Sequence, residues 1–356
     1  MKHASRLEGT THLVGGSARP SAARARRRTV RWTVIALLTL FVAVVIGLFA
    51  GAVRISPAGI IGWMFGGGSL TEQQKAIVAE LRLPRVVLAG LVGAALSVSG
   101  CAYQAAFRNP LADPYLLGSA AGAGLGATIV IVLGVADAPL ALPAAAFLGA
   151  LGGVGLAYAM ASTRAAGRTS TSLLLGGVAV ASFLTALQTY VQQRNTDDLR
   201  AVYAFILGRL GTSSWHEVWL ALPWVALACA VLLASRRLLE VLSLGDIEAA
   251  SLGAHVTRDR AIVVIAASLA TAAAVAVAGL IGFVGLIVPH AVQMATGASN
   301  RLVIGLSILF GASFLILCDV LARTVVAPGE LPIGVITALI GAPFFALVLR
   351  RSGGAR

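Results

Sequence analysis

The feature that most constrains this chain is a succession of apolar stretches about as long as a bilayer is thick, with charged residues gathered in the gaps. A helix needs roughly 20 mainly apolar residues to cross the hydrocarbon layer. Such stretches cover residues 32–53, 83–107, 115–135, 140–162, 172–193, 215–235, 261–281, 302–321 and 333–349, with a shorter one at 285–296 broken by Pro289. They predict an all-α integral membrane protein with about ten transmembrane helices. Composition agrees: 58% of residues are hydrophobic and 12% charged, against about 25% charged in soluble chains.

The distribution of charge decides what the net charge of +13 means. Eight of the 27 basic residues lie in the first 31 positions. A basic segment ahead of a first span sets membrane orientation, so nucleic acid is not an expected partner. Ten spans place both termini on one side. With the N-terminus cytoplasmic, 19 Lys and Arg fall in inner segments and 8 in outer ones. The expected organisation is a disordered basic cytoplasmic tail at 1–31, a transmembrane domain at 32–350 and a short cytoplasmic tail at 351–356. The run after Trp32 is too long for a signal-peptide core and lacks a small-x-small cleavage site, so it is read as a retained span. Cys101, Cys229 and Cys318 sit in apolar runs without Cys-x-x-Cys spacing and read as packing residues.

The richest stretch is 81–127, LRLPRVVLAGLVGAALSVSGCAYQAAFRNPLADPYLLGSAAGAGLGA. It reads as a helical hairpin with Arg82 and Arg85 at its outer end and a stiff inner corner at Asn109-Pro110-Leu111 and Asp113-Pro114. Gly93, Ala94, Ser97 and Gly100 suit close helix packing in lipid. The outer loop 54–81 carries a short interfacial helix at 57–65, Asp137 and Pro139 mark an outer turn, and 194–214 is an outer segment too short to cross.

Between spans six and seven lies LSLGDIEAASLGAHV, residues 242–256. Gly245 and Gly253 bracket a short helix, Asp246 supplies an N-terminal negative charge, and Ala249 and Leu252 are expected on one face. On residues alone this is an amphipathic loop helix. Arg82, Arg85 and Arg323 fall at outer span ends, either snorkelling or presenting a cationic docking surface. Asn109-Pro110-Leu111 and Ser170-Thr171-Ser172 are turn and cap residues at the inner ends of spans two and five. Pro289 frees a carbonyl in mid-membrane beside His290, read as a packing residue. Asp319 is spaced to pair with Arg323. A P-loop lysine is missing: Lys2 and Lys75 are the only lysines and neither follows a glycine-rich loop, so the chain has no Walker-type ATPase of its own. The scarcity of membrane carboxylates disfavours an ion-coupled secondary transporter.

Taken together, RLPR, GAAL, Gln104, NPLADP, LGDIEAASLG, VPH, DVLAR, GELPIG and GAP resemble the FecCD permeases, membrane subunits of ABC importers for iron-siderophores, haem and cobalamin. The resemblance runs from about residue 55 to 350. It implies a type II ABC importer permease fold in a bacterial plasma membrane, paired with a second permease subunit, an ABC ATPase that binds the ATP, and an extracytoplasmic substrate-binding protein. It implies a coupling segment at 242–257, with Leu244, Gly245, Asp246, Ala249, Leu252 and Gly253 meeting the ATPase. Arg82, Arg85 and Arg323 would dock the binding protein. Asn109, Pro110, Leu111, Ser170 and Thr171 would narrow the cytoplasmic gate. Ferric siderophore is the expected cargo, with cobalamin or haem as the alternative. Two positions depart from the family pattern: Gln293 stands where an arginine follows Pro-His, and Gly208-Arg209 where Gly-Ser is usual.

Overall fold

A computed structural model of the chain describes residues 22–353 apart from 52, 68–69, 137, 139, 162–169, 212–213 and 298. The described residues form fifteen α-helices and no strand. In order these are α1 (Ala22–Phe49), α2 (Pro57–Met64), α3 (Glu72–Ala76), α4 (Leu83–Phe107), α5 (Ser119–Val132), α6 (Ala141–Ala161), α7 (Ser170–Arg194), α8 (Leu199–Ile206), α9 (Trp215–Ala234), α10 (Arg236–Leu242), α11 (Asp246–Ser251), α12 (Val256–Ala278), α13 (Val284–Thr296), α14 (Asn300–Thr324) and α15 (Ile333–Gly353). Seven stretches are long and apolar enough to cross a membrane, and Ser119–Val132, Val284–Thr296 and Ile333–Val348 are apolar but shorter. Each predicted span has its helix.

Two boundaries differ most from expectation. Residues 22–31, expected as disordered tail, are the first turns of α1; residues 1–21 lie outside the described residues. Alanine and arginine are good helix formers, and a helix already nucleated by an apolar span extends at little further cost. The loop expected at 54–81 is helical from Glu72. A π-helical stretch, Ile77–Arg82, joins α3 to α4, so Glu72–Phe107 is one helix of 36 residues. Thr71 starts it with a capping box shared with Gln74.

α4 and α12 are the interior helices, whereas α1, α6, α7 and α9 expose most of their apolar surface. Interior contacts are made through small residues. A Cβ on Gly93 would lie 2.2 Å from the Gly311 carbonyl on α14, one on Gly100 1.9 Å from the Gly285 carbonyl on α13, and one on Gly122 2.0 Å from the Gly149 carbonyl on α6. These backbones touch, as dispersion-driven packing in lipid requires.

The chain between α12 and α13 is irregular, yet it lies within the bundle, where irregular backbone survives only if protein satisfies it. The Tyr115 hydroxyl accepts from the Ile281 amide at 2.9 Å and donates to the Ile281 carbonyl at 3.0 Å. The Leu280 amide donates to Phe205 O at the end of α8 (3.3 Å), and the Arg209 amide to Ala278 O (2.8 Å). Pro289 cannot donate to the carbonyl four residues back, that of Gly285. Gln104 of α4 donates to that carbonyl through Nε2 at 3.1 Å, and the close Gly100–Gly285 approach brings it within reach.

Candidate functional site

α4 runs from an arginine-rich end of the bundle to a tight corner at the other, and the two ends hold different machinery.

At the arginine end, all three predicted arginines are engaged within the chain. Helix α1 ends with unpaired carbonyls, as every helix does. Arg82 donates to the carbonyls of Leu48 (2.9 Å), Phe49 (3.2 Å) and Val53, and Arg323 donates to that of Gly47 at 2.6 Å. Both guanidiniums therefore cap the C-terminus of α1, where the helix dipole favours positive charge. Each residue is only 5% exposed. Desolvated guanidiniums need hydrogen-bond acceptors, and the end of α1 supplies them.

Arg85 lies between carboxylates. Its Nε donates to Asp319 at 2.9 Å, and its two terminal nitrogens grip Glu330 at 2.9 and 3.0 Å. Asp319, 1% exposed, also pairs with Arg323 at 3.3 Å, the predicted i,i+4 partner. A cavity of about 210 Å³ opens here, lined in part by Arg82, Arg85, Arg323, Glu330 and Gly51. Glu330 belongs to the GELPIG motif, but its pairing with Arg85 was not legible from sequence because 245 residues separate them.

At the corner end, α4 stops at Arg108, whose backbone is left-handed (φ 51°). The Asn109 side chain then accepts from the Leu111 amide at 2.9 Å, and Asp113 accepts from the Tyr115 amide at 2.8 Å to start a 3₁₀ turn, Pro114–Leu117. Side chains that fold back on their own backbone in this way fix turns. Leu111 is left exposed. Ser170 and Thr171 open α7; the loop before them, 162–169, lies outside the described residues. The corner does meet α7, since a Cβ on Gly177 would lie 2.3 Å from the Leu116 carbonyl.

The predicted coupling segment lies beside this corner. Gly245 precedes α11 at φ 135°, a conformation strained for any side chain. Ala249 is fully buried and anchors α11, while Leu252 is 63% exposed. The two were expected on one face; the helix ends at Ser251, and Leu252 turns away in the C-cap. Leu244 (57% exposed) and Ile247 (83% exposed) join Leu252 in presenting apolar surface from this connection. Ile247 was not singled out from the sequence, although an isoleucine among Asp, Glu and Ser was the available signal. Gly253 adopts φ 85° with open space around its Cα.

His290 is half-buried and meets the ring of Phe344 edge-on at 6.3 Å, in keeping with a packing role. Gln293 is exposed in the last turn of α13.

Comparison with known proteins bears on this arrangement. The profile of the FecCD transport family matches residues 38–351. The chain is 38% identical over 344 residues to an uncharacterised ABC transporter permease, YvrB, of Bacillus subtilis strain 168, covering 94% of this chain and 98% of that protein. It is 43% identical over 279 residues to the cobalamin import system permease BtuC of Halobacterium salinarum, covering 78% and 74%. Among solved structures, an inward-facing conformation of a metal-chelate type ABC transporter superposes with a TM-score of 0.78 at 30% identity, covering 90% of this chain and 99% of that one.

Proposed function

This chain belongs to the FecCD transport family, and on that premise we propose that it carries a cobalamin-type metal chelate across the membrane as the permease of an ATP-driven importer. Its fold is that of a type II ABC importer permease, and the ATPase of such a transporter is a separate subunit. The named cargo of the Halobacterium relative is cobalamin, which puts cobalamin ahead of the ferric siderophore expected from the motifs.

The observation that carries the mechanism is the contrast between the ends of α4. At the corner end, the apolar trio Leu244, Ile247 and Leu252 is exposed on a short connection. Exposed apolar clusters of this kind mark partner contacts, and an ATPase subunit is the partner such a permease requires. The trio would seat in it, with Gly245, Asp246, Ala249 and Gly253 shaping the turn. At the arginine end, the cavity beside Glu330 would receive an acidic group of the binding protein. Arg85 is its receptor there, while Arg82 and Arg323 hold the rim by capping α1. The inner gate would be formed by Asn109, Pro110 and Leu111 with the start of α7 at Ser170 and Thr171. A second permease subunit, the same chain or a similar one, would complete the pathway. The membrane is a bacterial plasma membrane with both termini cytoplasmic.

Uptake by a strain deleted for this chain tests the reading, with labelled cyanocobalamin, ferric siderophores and haem offered side by side. Loss of cobalamin uptake, restored by the intact chain and not by Gly253→Arg, is expected. Loss confined to a ferric siderophore would transfer the cargo to that class. Loss of none would overturn the cargo assignment.

A further inference from the structure

We propose that Arg260 is the positioning residue that ties the coupling segment to the inner corner, carrying displacement of α11 to the end of α4. The proposal rests on the reading of residues 242–256 as the ATPase contact and adds the route by which that contact reaches the gate.

Arg260 lies in the first turns of α12 and is only 4% exposed. Its Nη2 donates to Asp246 Oδ1 at 2.6 Å, and its Nε donates to the Ala106 carbonyl at 3.1 Å. Asp246 is the first residue of α11, next to Ile247 in the chain, and its side chain is 44% exposed. Ala106 lies in the last turn of α4. One guanidinium thus joins two elements: the short helix offered to a partner and the helix that ends in the corner. Arg108, held left-handed at that corner, also approaches Asp246 at 3.8 Å. Asp246 therefore sits between two arginines, one fixed to α4 through its carbonyl and the other part of the turn into Asn109.

The geometry suits transmission. A planar fork bonded on two sides holds both partners in a fixed direction, which a single-point lysine ammonium does not reproduce. Burial of the Arg260 end makes the contact less screened than a surface pair. When a partner draws Asp246 along, Arg260 moves with it, and the Ala106 carbonyl three residues before Asn109 moves in turn. The π-helical stretch, far away at the other end of the same long helix, is not needed for this step.

The test uses the chain assembled with its ATPase in proteoliposomes, with Leu111→Cys as the reporter and an impermeant maleimide as the probe. In the otherwise native chain, ATP with vanadate is expected to change the labelling rate at Leu111→Cys at least threefold. In Arg260→Lys, which keeps the charge but not both bonds, that change should fall below 1.5-fold while ATP hydrolysis continues. Asp246→Ala should likewise flatten the ATP-dependent labelling change, and the double variant should be no worse than either single one. A preserved ATP-dependent change in Arg260→Lys, additive effects in the double variant, or no change at Leu111→Cys in the native background would each overturn the proposal. Ile247→Glu separates the underlying reading: if ATPase association survives it, the coupling assignment itself is wrong, whereas lost association with a normal Arg260→Lys response condemns only the Arg260 link.

Discussion

Single residues in this protein are placed by the need to satisfy polar groups out of water. Gln104 answers the carbonyl that Pro289 leaves free, and Tyr115 answers both backbone groups of Ile281. Neither partner was legible in the sequence, because hydrogen bonds between distant helices leave no local spacing to read; only the proline's unmet carbonyl was predictable. The arginines show the same limit. Their position at span ends was visible, but not that Arg82 and Arg323 cap α1, whereas the Asp319–Arg323 pair was visible because it is local. These roles separate the arginines experimentally. Arg82→Glu would place a carboxylate against the carbonyls of α1 and lower stability as well as any docking, so it is a poor probe. Glu330→Gln is a clean one, since Glu330 is half-exposed and competes for the Arg85 fork. It should raise affinity for an acidic binding protein several-fold at low salt and lose that advantage at high salt, as screened charge pairs do. Titrating the binding protein onto the reconstituted permease at two ionic strengths measures both.

Helices were the most legible level, because hydropathy sets where lipid-crossing segments begin and end. α4, α9 and α13 fall within a residue or two of the predicted spans. What escaped were segments whose helicity comes from continuation or from tertiary support: the first turns of α1, the stretch from Glu72 to Arg82, and α8, whose Val202 and Phe205 are buried in the bundle. The short α11 failed differently, since helical spacing put Leu252 with Ala249 but the helix is too short to keep it there. Packing between helices gives a sharper test. Gly149 and Gly152 are three residues apart on α6; a Cβ on the first meets the Gly122 carbonyl at 2.2 Å, and on the second meets nothing within 4 Å. Gly149→Val should therefore force α5 and α6 apart and destabilise by about 1–3 kcal/mol, the usual penalty of overpacking. Gly152→Val should be neutral or slightly stabilising, because valine is the better helix former. Thermal unfolding of both variants in detergent reads the difference, and equal effects would mean the close α5–α6 approach does not contribute to stability.

At the scale of the whole molecule, the chain separates two kinds of surface along one central helix. The cavity edged by Arg85 and Glu330 lies at one end of α4, while the exposed trio Leu244, Ile247 and Leu252 lies beside the other. A helix of 25 residues rises about 37 Å, more than the roughly 30 Å of bilayer hydrocarbon, so these surfaces face opposite compartments. Which faces which is set, in the proposed orientation, by charge. Inner segments under the predicted orientation hold 19 of the 27 Lys and Arg, much of the excess in the N-terminal segment, and basic residues are retained on the cytoplasmic side. An impermeant maleimide applied to intact cells should therefore label Glu330→Cys at once, and Ile247→Cys only after permeabilisation. The native cysteines give little background, as Cys101 and Cys318 are buried and Cys229 is half-buried within α9. The reverse pattern would turn the molecule over, place α11 where no ATPase can reach it, and refute the coupling role together with the import direction.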